Sequence, residues 1–393
     1  MHFITWNPLG LRATQLRFIT WNTTEKNYTR MAKMKETLYL PSELIIQILL
    51  RLPVKSLLCF KCICKSWLSL ISDPHFANSH VDVSAAKIVS ISRTRPLAEI
   101  RFIDFETSIN HDSVSLDHSF LLPKGYFFYE IKGSCRGFIL LNCLTNLYVW
   151  NPSSRFHKEI KLSPFACKFL AYNPRHLLGF GYDGLRDDYL VVLLSYDPTL
   201  VKTSSYLEFF SLRDNKWNEI EGPHITYLNA TANRKAGGSF FNGAIHWLAS
   251  PYHKIPLEVI VVFDLMERKL LEIPLPDDYD HGPEHYGLWV FGKFLSLWNM
   301  NFDNRTVEIW EMKEYKQQSS WTKTLVIPID NDIPWFSPVY STKSGDIIGT
   351  SNIGLGLVKY NNKGQLLEYF AMNSIASEVA MYTESLLSLP GGP

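Results

Sequence analysis

From residue 82 onward the chain repeats one pattern, and this repeat restricts the fold more than any other feature of the sequence. Short runs of strand-forming residues are joined by turns rich in Asn, Asp, Gly and Ser, which is typical of β-hairpins. The first strands of six such hairpins end 47 to 60 residues apart. The last residues of these strands are Ile91, Trp150, Phe210, Phe263, Trp310 and Tyr360.

A second marker has nearly the same period. A glycine stands at the entrance to an apolar run at Gly137, Gly184, Gly243, Gly292 and Gly345, at intervals of 47 to 59 residues. A repeat of about 50 residues with about four strands per unit is close to that of kelch propellers. We therefore predict an all-β propeller of about six blades, closed by pairing of residues 378–389 with the first blade. An irregular β-sandwich is the alternative that hairpins of this composition also allow.

Residues 40–81 form the only strongly helical segment. Pro41 suits the first position of a helix, which we expect over residues 42–52, followed by helices over 55–60 and 62–71 and a last turn at 75–80. On the first helix, Glu43, Gln47 and Arg51 occupy one narrow seam and apolar residues occupy nearly all the rest. Such a wide apolar arc gives the helix two surfaces to bury. A segment this short must pack on the remaining chain, on a partner, or on both.

The same segment resembles the F-box of plant F-box proteins. The resemblance lies in Leu40-Pro41, in the run LIIQILLRLPVKSLLCFKCICKSW and in the closing LISDPHF, with Cys59 replacing the usual Arg. It implies docking on a Skp-type adaptor of a cullin–RING ubiquitin ligase. The residues that it implies to be adaptor-binding or bundle-forming are Leu40, Pro41, Leu44, Ile48, Leu52, Pro53, Val54, Leu57, Leu58, Cys64 and Trp67.

The β region is similar to the F-box-associated, kelch-like domain of plant proteins. The similarity lies in GSCRGFILL, VWNPSSR, GFGYD, YLVV, FFNGAIHWLA and VVFDLMERKLLEIPLP. The expected fold class is therefore α+β by segment, with a small helical F-box bundle followed by an all-β, kelch-like propeller. The expected boundaries are 1–33 for a disordered or spurious extension, 34–81 for the F-box and 82–393 for the propeller.

Composition excludes several classes of partner. Lys and Arg number 39 against 38 Asp and Glu, and no basic face stands out, so neither nucleic acid nor an anionic membrane is the expected partner. Apolar runs are too short for a membrane helix. Six cysteines are too few and too scattered for a disulfide framework. We expect Cys62 and Cys64 to be small buried apolar residues, and we expect the protein in the cytoplasm or the nucleus.

Three further patterns could carry a site. Residues 179–184 spell G-x-G-x-x-G, but a strand follows where a dinucleotide fold needs a helix, so we interpret the glycines as blade turns. The cluster Asp277, Asp278, Asp280, His281, Glu284 and His285 is interpreted as a solvated loop, and no metal or cofactor is expected. The aromatic residues that we place in loops, as candidate interface anchors, are Tyr252, His253, Tyr286, Trp335 and Phe336.

The predicted function is that of a non-catalytic substrate receptor in a Skp–cullin–F-box ubiquitin ligase. The F-box would bind the adaptor, and through it the cullin and RING subunits, while the propeller would bind an unknown target protein. One alternative is a glycan-binding or hydrolytic propeller with a non-functional F-box, which would need several carboxylates converging at the central mouth. Another is an adaptor-bound protein with a non-proteolytic role.

Overall fold

The part of the chain that the structure describes starts with four helices. The computed structural model describes residues 40–92, 99–104, 114–116, 130–143, 146–163, 176–196, 205–221, 226–230, 237–252, 258–279, 285–330, 332–333, 335–351, 356–371 and 378–390. The helices are α1 (Ser42–Leu49), α2 (Val54–Phe60), α3 (Lys65–Ile71) and α4 (Pro74–Val83). Residue contacts divide the chain into two units, 1–45 and 46–393, with the boundary inside α1.

The predicted helices are present with different ends. The helix predicted over 62–71 begins only at Lys65. Asp73 and Pro74 start α4 ahead of the last turn that we predicted over 75–80: the Asp73 carboxylate accepts hydrogen bonds from the N–H groups of His75 (2.7 Å) and Phe76 (3.2 Å). An Asp N-cap followed by Pro is a strong helix start, which explains why α4 is ten residues long rather than one turn.

The helical bundle of the second unit has its own interior. Leu49, Val54, Leu57 and Ile71 are at most 2% exposed. The buried His80 ring donates from Nε2 to the carbonyl of Leu52 at 2.9 Å and so ties α4 to the segment before α2.

Six four- or five-stranded antiparallel sheets follow, and they are the six predicted blades. Blade 1 contains β1 (Ala86–Ser92), β2 (Glu99–Ile103), β3 (Val114–Leu116) and, as its fourth strand, β25 (Glu378–Thr383). Blade 2 contains β4 (Glu130–Cys135), β5 (Phe138–Cys143), β6 (Asn146–Asn151) and β7 (Phe156–Lys161). Blade 3 contains β8 (Leu177–Asp183), β9 (Asp188–Tyr196), β10 (Ser205–Ser211) and β11 (Lys216–Ile220).

The other three blades follow in chain order. Blade 4 contains β12 (Tyr227–Asn229), β13 (Ser239–Phe241), β14 (Ala244–Pro251), β15 (Val259–Asp264) and β16 (Lys269–Pro274). Blade 5 contains β17 (Tyr286–Phe291), β18 (Phe294–Asn301), β19 (Thr306–Met312) and β20 (Trp321–Pro328), with a 3-10 turn at Gln318–Ser320. Blade 6 contains β21 (Phe336–Ser341), β22 (Ile347–Ser351), β23 (Gly356–Tyr360) and β24 (Leu366–Ala371).

The first and last strands close the ring, as predicted. β25 pairs with β1 in antiparallel register, with Ile88 opposite Met381. The inner strands of successive blades, β25, β4, β8, β13, β17 and β21, each contact the next, and β21 contacts β25. In blade 4 the inner strand has two pieces, because β12 and β13 both pair with β14.

The two sequence markers mark different turns of the blade. All five glycines lie in the turn between the two inner strands. Five of the six hairpins are formed by the two outer strands of a blade. The hairpin whose first strand was predicted to end at Ile91 is formed by β1 and β2, the middle pair of blade 1. We wrongly treated this first hairpin as equivalent to the others. Blade 1 has no glycine marker because its two inner strands come from opposite ends of the chain.

The glycines of the G-x-G-x-x-G pattern have a packing role. Gly184 is in the predicted turn, but Gly179 and Gly181 lie within β8, so their assignment to a turn was wrong. A Cβ at Gly179 would lie 2.8 Å from the Trp247 ring, and one at Gly181 would lie 2.7 Å from the Phe240 ring. The glycines thus allow aromatic residues of blade 4 to pack directly on blade 3, and β9 rather than a helix follows.

The turn between the outer strands of one blade rests on the preceding blade. In blade 4 this turn brings Arg268 to Asp183, the fully buried last residue of β8. One Asp183 oxygen accepts from the N–H groups of Leu185 (3.0 Å) and Arg186 (3.3 Å). The other accepts from the guanidinium groups of Arg186 (2.9 Å) and Arg268 (2.8 Å). A single carboxylate therefore joins blades 3 and 4.

Candidate protein-binding surfaces

The helical bundle of the second unit presents large apolar side chains to solvent, on its helices and on the connection between α2 and α3. Ile48, Leu58, Ile63 and Leu68 are 51%, 37%, 51% and 47% exposed, although the interior of the same bundle is closed. Four large aliphatic side chains exposed on so small a bundle are typical of an interaction surface. In the first unit, Leu40 and Leu44 are likewise about half exposed.

The segment that follows β25, the last strand of the ring, holds the helical bundle on the ring. The Glu384 carboxylate accepts from the N–H of Val54 at 2.9 Å, at the start of α2, and forms an ion pair with Lys87 of β1 at 2.6 Å. A carboxylate is favoured at this position by the helix dipole. Arg136, in the turn between the inner strands of blade 2, donates to the side chain of Asn78 on α4. The helices therefore rest on the end of the ring where the inner strands turn.

The C-terminal segment is itself fixed on blade 2. The Asn151 amide donates to the carbonyl groups of Ser385 and Leu387, both at 3.2 Å. The N–H of Ser385 donates to the Ser153 hydroxyl at 3.2 Å. Gly137 has a φ of +84°, and a Cβ there would lie 2.0 Å from the Ser385 side chain. This glycine thus provides both the turn and the space that the C-terminal segment needs.

At the opposite end of the inner strands, three aromatic rings meet. His285 and Trp335 immediately precede β17 and β21, and Phe302 lies in the turn between β18 and β19. The ring centroids are 4.0 Å apart for His285 and Trp335, and 5.2 Å apart for Phe302 with each of them. We call these three residues the aromatic patch. Phe302 is 44% exposed, so the patch offers aromatic surface to solvent.

Comparison with models of known protein families identifies the family of this chain. The model of the F-box associated beta propeller domain matches residues 93–364, and the model of the F-box domain matches residues 38–78. The chain belongs to the F-box proteins with an F-box associated β-propeller. The family resemblance predicted from the sequence is thereby confirmed.

Three proteins of Arabidopsis thaliana are similar to this F-box protein over most of its length. An F-box/kelch-repeat protein is 28% identical over 371 residues, which cover 89% of this chain and 95% of the relative. A putative F-box protein is 28% identical over 325 residues, covering 79% and 82% of the two chains. F-box protein CPR1 is 28% identical over 322 residues, covering 76% and 75%.

The structure divides the predicted adaptor-binding residues of this F-box protein into three groups. Leu40, Pro41, Leu44, Ile48, Pro53 and Leu58 are exposed, and Leu52, Cys64 and Trp67 are partly exposed. Val54 and Leu57 are buried, at 1% and 0% exposed, which places them inside the bundle and not on its surface. Ile63 and Leu68 are exposed as well, but they were not among the predicted residues. Nothing in the sequence distinguishes exposed Leu68 from buried Ile71, since both are aliphatic residues of one short helix.

The cysteines of the F-box are more exposed than expected. Cys59 and Cys62 are exposed and Cys64 is partly exposed, so the prediction that Cys62 and Cys64 are buried was wrong. The reason is their place in the connection between α2 and α3, at the surface. A hydrogen bond between the Cys64 thiol and the Ser66 hydroxyl (3.1 Å) lowers the pKa of that thiol. In contrast, burial raises the pKa of the Cys135 and Cys143 thiols.

Two of the predicted loop aromatics of this F-box protein are strand residues. Tyr286 (7% exposed) belongs to β17 and Phe336 (1% exposed) to β21, so their assignment to loops was wrong. Both fill the space between blades. Tyr252 is 45% exposed and Trp335 is partly exposed, whereas His253 lies outside the described residues. The prediction missed Phe302, because the turn that carries it is otherwise polar.

The acidic and histidine-rich segment is described only in part. Asp277 and Asp278 are exposed, while Asp280, His281 and Glu284 lie outside the described residues. Within the described ranges, no group of three or more His, Cys, Asp or Glu side chains is placed to hold a metal ion. Nor is any helix of these ranges long and apolar enough to cross a membrane.

Carboxylates of the described inner strands are divided between the two ends of the ring. Glu130 and Glu378 begin β4 and β25, at the end with the aromatic patch, and Asp183 ends β8 at the opposite end. Glu130 lies 3.1 Å from the ammonium group of Lys132.

Glu258, just before β15, is a carboxyl group whose pKa is raised by its surroundings. Burial raises the pKa of Glu258 to about 7, and a hydrogen bond from the Tyr286 hydroxyl partly offsets this rise.

Proposed function

We propose that this chain is the substrate-recognition subunit of a Skp–cullin–F-box ubiquitin ligase. Its F-box binds the Skp-type adaptor, and its propeller binds a target protein for ubiquitination. The observation that carries the proposal is the set of exposed aliphatic side chains on the F-box helices, led by Ile48 and Leu58. An adaptor that covered them would gain roughly 1 kcal/mol from each half-exposed side chain, since complete burial contributes about 1.5–3 kcal/mol.

The proposed adaptor contacts are the exposed and partly exposed members of the predicted set, together with Ile63 and Leu68. Those members of the predicted set are Leu40, Pro41 and Leu44 in the first unit, and Ile48, Leu52, Pro53, Leu58, Cys64 and Trp67 in the second. Val54 and Leu57 support this surface from inside the bundle.

The contacts between helices and ring give the receptor a definite geometry. Glu384 and Arg136 hold the bundle on one end of the ring, so a target bound to the propeller has a fixed position relative to the adaptor. The chain performs no bond chemistry in this proposal. It raises the effective concentration of target lysines near a ubiquitin-charged conjugating enzyme elsewhere in the complex.

The test is binding of a purified Skp-type adaptor to the full chain. We compare the wild type with the double variant Ile48→Asp, Leu58→Asp, and with the control Leu185→Asp, which makes the same change at an exposed leucine of a propeller turn. We expect the double variant to bind at least about tenfold more weakly and the control to bind like the wild type. Unchanged binding by the double variant, or no binding by a folded wild type, would refute the proposal. Thermal unfolding of each protein establishes that it is folded.

A further inference from the structure

The aromatic patch joins three separate segments of blades 5 and 6. The N–H of Met300 donates to the carbonyl of His285 at 2.7 Å. The N–H of Ile329 donates to the carbonyl of Arg305 at 2.8 Å, and the Arg305 guanidinium donates to the carbonyl of Asp330 at 3.0 Å. Backbone hydrogen bonds thus hold the segments that carry His285 and Phe302, and a side chain joins them to the segment before β21. The patch is therefore built on paired strands and not on one loose loop.

The described charged residues that flank the patch in the sequence are mainly acidic. Asp303 follows Phe302, and Asp330 and Asp332 precede Trp335, and all three are exposed. The one described base among them, Arg305, is partly buried and directs its guanidinium to a backbone carbonyl. Among these described neighbours in the sequence, three carboxylates against one guanidinium give two net negative charges.

We propose that the aromatic patch and its three aspartates bind an arginine-bearing segment of the target protein. A guanidinium group stacks on an aromatic face and also pairs with carboxylates, so it uses both parts of this surface. A lysine ammonium is a hydrated point charge and uses the flat surface less well. An acidic peptide or a nucleic acid would be repelled by the aspartates.

This inference deepens the proposed function and rests on it. The patch lies where the inner strands begin, and the F-box helices rest where these strands turn, so the two surfaces are at opposite ends of the ring. A target segment on the patch would leave the exposed side chains of the F-box free for the adaptor.

The test uses the full chain and a fluorescein-labelled peptide of alternating glycine and arginine as the probe. Fluorescence anisotropy gives its affinity at low and at physiological salt, and matched peptides with lysine or glutamate in place of arginine give the comparison. We expect the arginine peptide to bind best, the lysine peptide to bind more weakly and the glutamate peptide not to bind. Equal binding of the arginine and lysine peptides, or no binding of either, would overturn the inference.

Variants locate the binding on the patch. Phe302→Ala should lower the affinity for the arginine peptide by about threefold to thirtyfold, the range expected for loss of a cation–π contact. Its control is Tyr369→Ala, because Tyr369 is 45% exposed against 44% for Phe302 and lies on β24, the outer strand of blade 6. Asp303→Asn with Asp332→Asn should weaken binding and reduce its dependence on salt, whereas the exposed Asp214→Asn should not. Equal binding by all these proteins would place any binding elsewhere and refute the inference.

A parallel measurement separates this inference from the proposed function. The same variants are tested for binding to the Skp-type adaptor. If the adaptor binds and the arginine peptide does not, the inference fails and the receptor function stands. If the folded wild type does not bind the adaptor, the receptor function fails, whatever the peptide does.

Discussion

Replacement of Asp183 by asparagine tests how strongly one buried carboxylate joins two blades. Asparagine has the same shape but only one acceptor oxygen. In the wild type, one oxygen of Asp183 faces two backbone N–H groups and the other faces the guanidinium groups of Arg186 and Arg268. Whichever way the amide turns, its NH2 group faces other donors. The change therefore removes a charge and leaves donors unsatisfied.

The expected loss of stability follows from the exposure of the two arginines. Arg268 is 18% exposed at its side chain, so its interaction with Asp183 resembles a buried pair, for which loss of one partner costs about 3–5 kcal/mol. Arg186 is 50% exposed and adds at most about 1 kcal/mol. Because asparagine keeps one acceptor, we expect Asp183→Asn to lower the free energy of unfolding by about 3 kcal/mol.

The matched control lies in the same turn. Asp187 forms an ion pair of 2.8 Å with Arg213, but the two side chains are 70% and 46% exposed. Asp187→Asn should therefore cost at most about 1 kcal/mol. Urea unfolding followed by tryptophan fluorescence measures both variants against the wild type. If the two substitutions shift the midpoint equally, the joining role assigned to Asp183 is wrong.

Two further predictions concern a titrating acid and a turn. Because burial raises the pKa of Glu258 from 4.5 to about 7, its effect on stability is most favourable below pH 4.5 and is lost as the pH rises to about 7. The melting temperature of Glu258→Gln relative to the wild type should accordingly rise between these pH values, and parallel pH curves would contradict this assignment. Gly137→Ala should cost about 2–4 kcal/mol, because φ is +84° and the new Cβ would lie 2.0 Å from Ser385. Gly292→Ala, with φ of +57° and nothing within 4 Å, should cost only about 1 kcal/mol in the same denaturation assay.

The architecture was predictable because each blade repeats its strands and turns. The glycine marker was useful because the turn between the inner strands needs a residue with positive φ, which is glycine at Gly137, Gly243, Gly292 and Gly345. In the turn that contains Gly184, Asp187 has the positive φ instead. The turn between the outer strands also needs positive φ, but there the residue is usually not glycine. Arg155, Asn215, Arg268 and Lys316 fill this position, so composition does not reveal it.

The candidate surfaces were predictable only in part, since their definition depends on exposure. Resemblance to the F-box family indicated Ile48 and Leu58, but the same aliphatic residue type is exposed at Leu68 and buried at Leu57. The aromatic patch could not be predicted, because His285, Phe302 and Trp335 come from three segments that only the folded ring brings together. Phe336 was also predicted to be a loop aromatic, but it is buried in the core although it is next to Trp335 in the sequence.

The pairing of β25 with β1 has a consequence for synthesis of the chain. The F-box and β1 leave the ribosome before β25, so β1 keeps an unpaired edge until residues 378–383 emerge. The same final segment supplies Glu384, which holds the start of α2. A truncated translation product that lacks this segment would carry the exposed aliphatic side chains of the F-box on an open ring. Because Glu384 would be missing as well, such a product would keep the contact of Arg136 with Asn78 but lose the hydrogen bond that fixes the start of α2 on the ring.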